Sequence, residues 1–401
     1  MLDLASHTIY YLSSESFSAA YSLCGDNSRV FVFDSKHLQH ISHQYNLKAF
    51  DKNLVKYLFL NSNRIISTIN IEMVDFCNLQ CVHCYANMFP HKGKIMPKAS
   101  FYHIVDEIIR LYKPVNIKVS GGEPSLYPNI VEICQAIQTI KPISTHKLLT
   151  NLIMPKDTLL DILKTGISLQ VSIYGCSFED FHLFTNGSRH QYDTIINNLK
   201  NIPSEYLKNT HIVFHVPQYT KEITKSCEFF ANTYGITYHI GGINYIGRAY
   251  LNNSSLEAKT SFNSEAYPKT ILCNRICENS KICISTDGDI TPCPFFRPSN
   301  VDFVMGNINK QSLNDILTSK KVNEFDELSV DNVEGCKDCP LKYVCSGGCS
   351  AERLTMTGSI LKKYPRCNVE DDFNVLDKNY IYEVFMIKPG YFKFNKGGIV
   401  Q

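Results

Sequence analysis

An α/β fold is predicted for this chain: a partial (β/α)6 TIM-like barrel, preceded by a small N-terminal α+β element and followed by a cysteine-rich C-terminal domain. Three observations predict it. Six short apolar runs alternate with amphipathic helical runs between residues 68 and 250. The alternation stops near Leu251. Of 16 cysteines, eleven lie in tightly spaced groups, most of them beyond that stop. At 401 residues the chain is long enough for two or three domains. The expected division is 1–66, 67–255, 256–385 and a tail over 386–401.

Residues 1–66 mix strand-like runs, Thr8–Leu12 and Arg29–Phe33, with helix-like ones, Lys36–Tyr45 and Asn53–Phe59. The barrel strands are expected at Thr68–Val74, Val115–Ser120, His146–Thr150, Ile167–Ile173, His211–Val216 and Ile236–Ile240. Between them, Phe101, Ile104, Val105, Ile108 and Ile109 repeat at one-face spacing in Ser100–Tyr112, which stops before Pro114. Ile130, Ile133, Cys134 and Ile137 do the same in Asn129–Ile140, and Lys156–Lys164 ends ahead of Gly166, a glycine placed to cap it. Strand–helix repeats imply a parallel sheet with right-handed crossovers, and six units make an incomplete barrel. Past Leu251 one helical run is expected, near Ser312–Leu328. A segment so poor in regular structure needs another source of stability, and bound metal supplies one.

A formal net charge of +2 gives no electrostatic reason to expect nucleic acid or an anionic membrane. No run approaches the roughly 20 apolar residues of a membrane helix. Met1–Ser14 lacks a basic stretch followed by an apolar run, so a cytoplasmic setting is expected. Thiols stay reduced there, which leaves packing, catalysis or metal binding for the cysteines.

Cys77, Cys81 and Cys84 form C-x3-C-x2-C directly after the first barrel strand. Three thiolates within eight residues can hold three irons of a cubane cluster. The next cysteine, Cys134, sits on an apolar helix face, so one iron is left open, and an open metal position is where chemistry happens. Part of a zinc site is the competing reading of this spacing. In such barrels the site lies at the C-terminal strand ends, and Ser120-Gly121-Gly122-Glu123-Pro124 follows strand two at that rim. Paired glycines let backbone approach a ligand closely. His83, between two of the cysteines, reads as a spacer.

The triad, the aromatic Tyr85 after it and the GGEP run resemble the radical S-adenosylmethionine (SAM) superfamily over roughly residues 68–250. The resemblance implies that Cys77, Cys81 and Cys84 bind a 4Fe–4S cluster whose open iron chelates SAM. Gly121, Gly122 and Glu123 would then contact the methionyl amino end, Ser172 the ribose side, and the Tyr85 backbone would lie near the adenine. Asn151, after strand three, faces the same rim. Gly247-Arg248-Ala249 also recurs in this family, and Arg248 would pair with a substrate or SAM carboxylate or form a structural salt bridge.

The C-terminal array is Cys336-x2-Cys339-x5-Cys345-x3-Cys349, with Cys367 beyond it. Upstream, Asp287-Gly288 between alternating runs signals a hairpin that aims Cys293 at the array, with Cys273 and Cys277 just before it. That makes eight candidate thiolates, the number two four-cysteine clusters require. The arrangement resembles the SPASM domain, an iron–sulfur module, over about residues 270–370. The resemblance implies auxiliary 4Fe–4S cluster I on Cys273, Cys277, Cys293 and Cys349, and cluster II on Cys336, Cys339, Cys345 and Cys367. Cys283, alternating with Ile282 and Ile284, reads as packing, as do Cys134 and Cys227. Cys24 and Cys176 have no evident partner.

The activity implied is reductive cleavage of SAM to a 5′-deoxyadenosyl radical, which takes hydrogen from a ribosomally made precursor peptide to crosslink, oxidise or epimerise it. The electron would come from a donor such as flavodoxin or ferredoxin. Residues 1–66 either grip a leader sequence or cap the barrel. Two other readings are a maturase of a folded protein, such as an anaerobic sulfatase activator, and a non-catalytic zinc-stabilised binding protein. No residue in the pattern identifies a general acid or base.

Overall fold

The computed structural model describes residues 66–90, 93–111, 115–140, 143–216, 220–252, 281–296, 301–337, 347–365 and 367, with short strands at 2–3, 8–11, 48–50, 393–395 and 398–400. Strand β1 (Thr68–Val74) is buried along its whole length. It is followed by α1 (Lys98–Arg110), β2 (Val115–Gly121), α2 (Ile130–Gln138), β3 (Ile143–Thr150), α3 (Lys156–Lys164) and β4 (Ser168–Ile173). Two helices, α4 (Phe178–Thr185) and α5 (Arg189–Lys200), lead to β5 (Thr210–Val216), then α6 (Lys221–Thr233) and β6 (Thr237–Gly242). All six expected barrel strands are present, their ends moved by three residues at most.

Strands β1 to β6 pair in parallel, each with the next in sequence. β6 ends the order and does not return to β1, so the barrel is open. The helices bury most of the apolar faces read from their spacing: Phe101, Ile104, Val105 and Ile108 on α1, and Ile130, Ile133, Cys134 and Ile137 on α2, whereas Ile109, expected on the α1 face, is exposed. Gly166 takes φ +82 just past α3, and its N–H donates to Leu163 O at 3.0 Å, closing the helix as expected.

The C-terminal hairpin is not a sheet of its own. Its strands β7 (Lys281–Ile284) and β8 (Asp289–Thr291) are antiparallel, with Gly288 at φ +85 in the turn. β7 also pairs in parallel with the free side of β1, Lys281 opposite Thr68 and Ile284 opposite Ile71. With β9 (Gly306–Asn307) the order becomes β9-β8-β7-β1-β2-β3-β4-β5-β6.

Three further expectations are corrected or bounded. The run near Ser312–Leu328 is two helices, α7 (Leu313–Leu317) and α8 (Lys320–Asp326), because Ser319 caps the second with its hydroxyl on Val322 N. A helix not expected, α9 (Ser350–Thr357), starts directly after Cys349. At the N-terminus Thr8–Tyr11 is a strand between Leu2–Asp3 and Lys48–Phe50, whereas Arg29–Phe33, Lys36–Tyr45 and Asn53–Phe59 lie outside the described residues. Among the described residues no helix is long and apolar enough to cross a membrane.

Candidate functional site

The site begins where β1 ends. The loop over residues 75–90 is held from several sides by backbone bonds: Cys77 N to Phe89 O at 3.2 Å, Gln80 N to Thr185 O at 3.2 Å and Val82 N to Phe184 O at 2.9 Å. From the segment after β6, Arg248 N donates to Cys84 O at 3.0 Å and Asn252 Nδ2 to Val82 O at 2.9 Å. Loop position is therefore set by α4 and by the barrel's last turn together.

Cys77, Cys81 and Cys84 are free thiols, Cys81 buried and the others half-buried. Burial, and then the Glu123 carboxylate, push Cys77 up to about 12. Burial and the other two cysteines raise Cys81, against the opposing pull of Arg248. A metal reverses this, because a coordinating thiol is deprotonated outright. Three soft donors on one loop, electrostatically coupled to one another, fit the three protein ligands of a cubane cluster.

The two glycines of GGEP meet protein. A Cβ at Gly122 would lie 1.8 Å from Phe76 O, and one at Gly121, φ +132, 2.2 Å from Val74 O. Gly122 N donates to Val74 O at 2.9 Å and Glu123 N to Phe76 O at 3.1 Å. The close approach expected toward a ligand is, on the side-chain side, an approach to the cysteine loop. Glu123 is buried, and its Oε1 accepts from Ser125 N at 3.1 Å and Thr150 Oγ1 at 2.7 Å, its Oε2 from Asn151 N at 2.7 Å. Burial raises its pKa, and these donors oppose the rise.

Asn151 is drawn to the triad. Its Nδ2 donates to Asn78 Oδ1 at 2.7 Å and lies 3.8 Å from Cys77 Sγ. Asn78, which the sequence reading passed over, donates to Ile153 O at 3.0 Å and so links the loop to the end of β3. Ser172 hydrogen-bonds the hydroxyl of Tyr174, whose half-buried side chain feels all three triad cysteines. Tyr174 lies 4.9 Å from the His83 ring and 5.3 Å from that of His215, at the end of β5. Burial lowers His83 to about 3 and His215 to about 4, so both rings are neutral. His83 Nδ1 is buried without a partner among the described residues. Tyr174 and His215 were missed, although both stand at C-terminal strand ends, where barrel chemistry sits.

Tyr85 and Arg248 tie the cysteine loop to the segment after β6 and to the C-terminal domain. The Tyr85 carbonyl lies under Gly247, where a Cβ would be 2.3 Å from Tyr85 O, and Gly247 takes φ +59. The Tyr85 ring meets Phe295 edge to face, centroids 5.0 Å apart. Arg248 is 7 % exposed, and its guanidinium makes no ion pair among the described residues. Its Nε donates to Cys81 O at 2.7 Å and its guanidinium lies 4.4 Å from the Phe89 ring centre.

In the C-terminal array, Cys293 and Cys349 are near enough to interact, and burial, Glu352 and Cys293 hold Cys349 at about 12. Cys336 is buried, and Cys367 N donates to Tyr364 O at 3.0 Å. Cys273, Cys277, Cys339 and Cys345 lie outside the described residues. Cys283 is 1 % exposed and accepts from Asn70 Nδ2 at 3.4 Å, a packed strand residue. Cys134 and Cys227 are core, and Cys176 has a partner after all: its thiol donates to Cys227 Sγ at 3.9 Å. Glu352 Oε1 accepts from Tyr245 N at 2.7 Å, joining α9 to the barrel's last turn.

Two family models match the chain. Residues 71–230 match the model of the radical SAM superfamily, and residues 273–340 that of an iron–sulfur cluster-binding domain, SPASM. A GTP 3′,8-cyclase of Desulforamulus reducens is 32 % identical over 114 residues, 27 % of this chain and 34 % of the relative. The chain spans about a third of the length of such curated relatives. Among solved structures, SuiB of Streptococcus suis bound to S-adenosylmethionine aligns over 83 % of this chain and 86 % of its own, with TM-score 0.58 and 16 % identity. AnSMEcpe with AdoMet and the Cp18Cys peptide aligns over 79 % of this chain and 99 % of its own, with TM-score 0.58 and 16 % identity.

Proposed function

We propose that the chain, which matches the radical SAM and SPASM models, works as a radical SAM enzyme on a ribosomally made peptide, which it crosslinks, oxidises or epimerises. When bound, the clusters supply the electron that cleaves SAM, and the adenosyl fragment takes a hydrogen atom from the substrate. In this reading Cys77, Cys81 and Cys84 hold the first cluster. Gly121, Gly122 and Glu123 buttress their loop and present the GGEP backbone at the methionyl end. Asn151 fixes Asn78 beside Cys77, and Ser172 holds the Tyr174 hydroxyl at the ribose side. Cys293 and Cys349, with Cys273 and Cys277, hold one auxiliary cluster; Cys336, Cys339, Cys345 and Cys367 hold the other. A flavodoxin or ferredoxin delivers the electron.

One observation carries the choice of a peptide. The likeness that spans barrel and C-terminal domain together is to proteins solved with peptides, SuiB with precursor peptide SuiA among them. The likeness to these cyclases covers at most 32 % of this chain. The N-terminal antiparallel strands support a second element of the proposal, that this region takes up a leader peptide as an added strand.

The test is an anaerobic incubation with SAM, reductant and each short peptide that the neighbouring genes encode, read by mass spectrometry. Loss of two hydrogens indicates crosslinking or oxidation; no mass change in H2O, with gain of a single deuterium when the reaction is run in D2O, indicates epimerisation. Turnover of GTP or of a folded sulfatase, with the peptide left untouched, rejects the peptide reading.

A further inference from the structure

Of the partners expected for Arg248, a substrate or SAM carboxylate or a structural salt bridge, the salt bridge is not made among the described residues, and its Nη1 is buried without a hydrogen-bond partner there. The side chain is 93 % buried by its 7 % exposure, in the segment that holds the cysteine loop. Its Nε is spent on Cys81 O at 2.7 Å, and its plane is stacked by Phe89 at 4.4 Å. An unneutralised cation in such a place is costly, and an unmade guanidinium hydrogen bond adds to the cost. Among the described residues no carboxylate or Nη1 acceptor offsets that cost, which leaves the group bound at the triad as the candidate.

Resting on the assignment of the triad as cluster ligands, we propose that Arg248 is the fixed counter-charge of the first cluster and sets its reduction potential. Three thiolates and a cubane make an anionic unit in the oxidised state, and reduction adds one more negative charge. A guanidinium held beside Cys81 favours the more negative state, and Nη1 remains as a donor for the sulfur-rich unit. Net charge and hydrogen bonds to sulfur are the terms through which a protein sets such potentials. Lysine cannot reproduce the planar contact with both Cys81 O and Phe89, but it retains the charge. Arg248 is thus a positioning and tuning residue rather than a group that touches substrate.

The full chain, reconstituted anaerobically, is compared with Arg248→Gln and Arg248→Lys by iron content, SAM affinity and electron paramagnetic resonance during a redox titration. The signal perturbed by SAM reports the first cluster. With Gln, the reduced-to-oxidised ratio of that cluster at a fixed poise falls on the order of tenfold, as loss of one nearby charge in a partly screened interior requires, while the auxiliary signals stay put. With Lys, the ratio stays within about threefold of the starting protein. An unchanged ratio in an iron-loaded Gln variant overturns the proposal; if SAM affinity alone has dropped, the partner is the SAM carboxylate. Equal shifts in Gln and Lys also overturn it, since charge is then not the agent. If Gln fails to load iron, Lys decides: a held ratio supports the proposal and a tenfold fall rejects it. Failure of the triad assignment is distinguishable, because no SAM-perturbed signal would then appear in any variant.

Discussion

The ring of Tyr85, the residue after the last triad cysteine, stands edge-on to the ring of Phe295, two residues past Cys293, at 5.0 Å and 76°. This one pair joins the loop of the first cysteine group to that of the second. Edge-to-face pairs contribute about 0.5–1.5 kcal/mol beyond their buried area. Phe295→Ala should therefore loosen the triad loop, with amide exchange over residues 81–85 accelerating on the order of tenfold. Exchange at α3, far from the pair, should not move. Equal acceleration in both places would mean global destabilisation and count against the pairing.

Gly122→Ala should cost roughly 3 kcal/mol or more, because the new Cβ would meet the Phe76 carbonyl and no side chain there can turn aside. The expected readout is iron: the variant should be recovered with about four irons fewer per chain, one cubane. Full iron in a folded Gly122→Ala protein would show that the loop does not depend on this contact.

Cys283 and Cys293 are ten residues apart and predicted to behave oppositely. Cys283→Ser should keep all its iron, since Asn70 Nδ2 can donate to a hydroxyl as it does to the thiol. Cys293→Ser should lose about four irons. Iron and sulfide analysis of the two variants checks the pair together, and a loss in Cys283→Ser would make that strand a ligand.

Cys134 gives the protein a pH dependence of stability with a definite sign. Burial on α2 pushes its thiol from 9.0 to about 12. Below pH 9 both folded and unfolded chains keep the proton, and stability is complete. Between pH 9 and about 12 only the unfolded chain releases it, so stability falls as pH rises. The contribution is a few kcal/mol at most, at about 1.4 kcal/mol per pH unit. Anaerobic thermal midpoints should drop across that window, and Cys134→Ala should flatten the drop. An unchanged slope in the variant would place the titrating group elsewhere.

Much of this molecule is legible in its sequence. The barrel strands were legible because buried parallel strands are short apolar runs bounded by helical spacing, as in Val115–Gly121 and Ser168–Ile173. The candidate site was legible as far as it is local: the triad, GGEP and the Asp287-Gly288 turn each lie within a few residues. What could not be read is long-range. Nothing in Lys281–Ile284 announces that it pairs with Thr68–Ile71 rather than closing its own sheet. The opening of α9 escaped because the chain around it was dominated by cysteines and glycines, although Ser350–Arg353 packs as a buried first turn. Tyr174 escaped because its value lies in what stands opposite it, the His83 and His215 rings brought in from two other strand ends.

The pairing of β7 with β1 has a consequence for biosynthesis. The two strands meet across 213 residues, as at Asn70 and Cys283. A nascent chain that has already emerged through β6 still presents β1 with one side bare, and the ribosome must add about 40 more residues before its cover arrives. Until then the half-made enzyme carries an apolar strand edge able to recruit a neighbour. Truncation after the barrel should for that reason yield aggregates rather than a smaller folded protein.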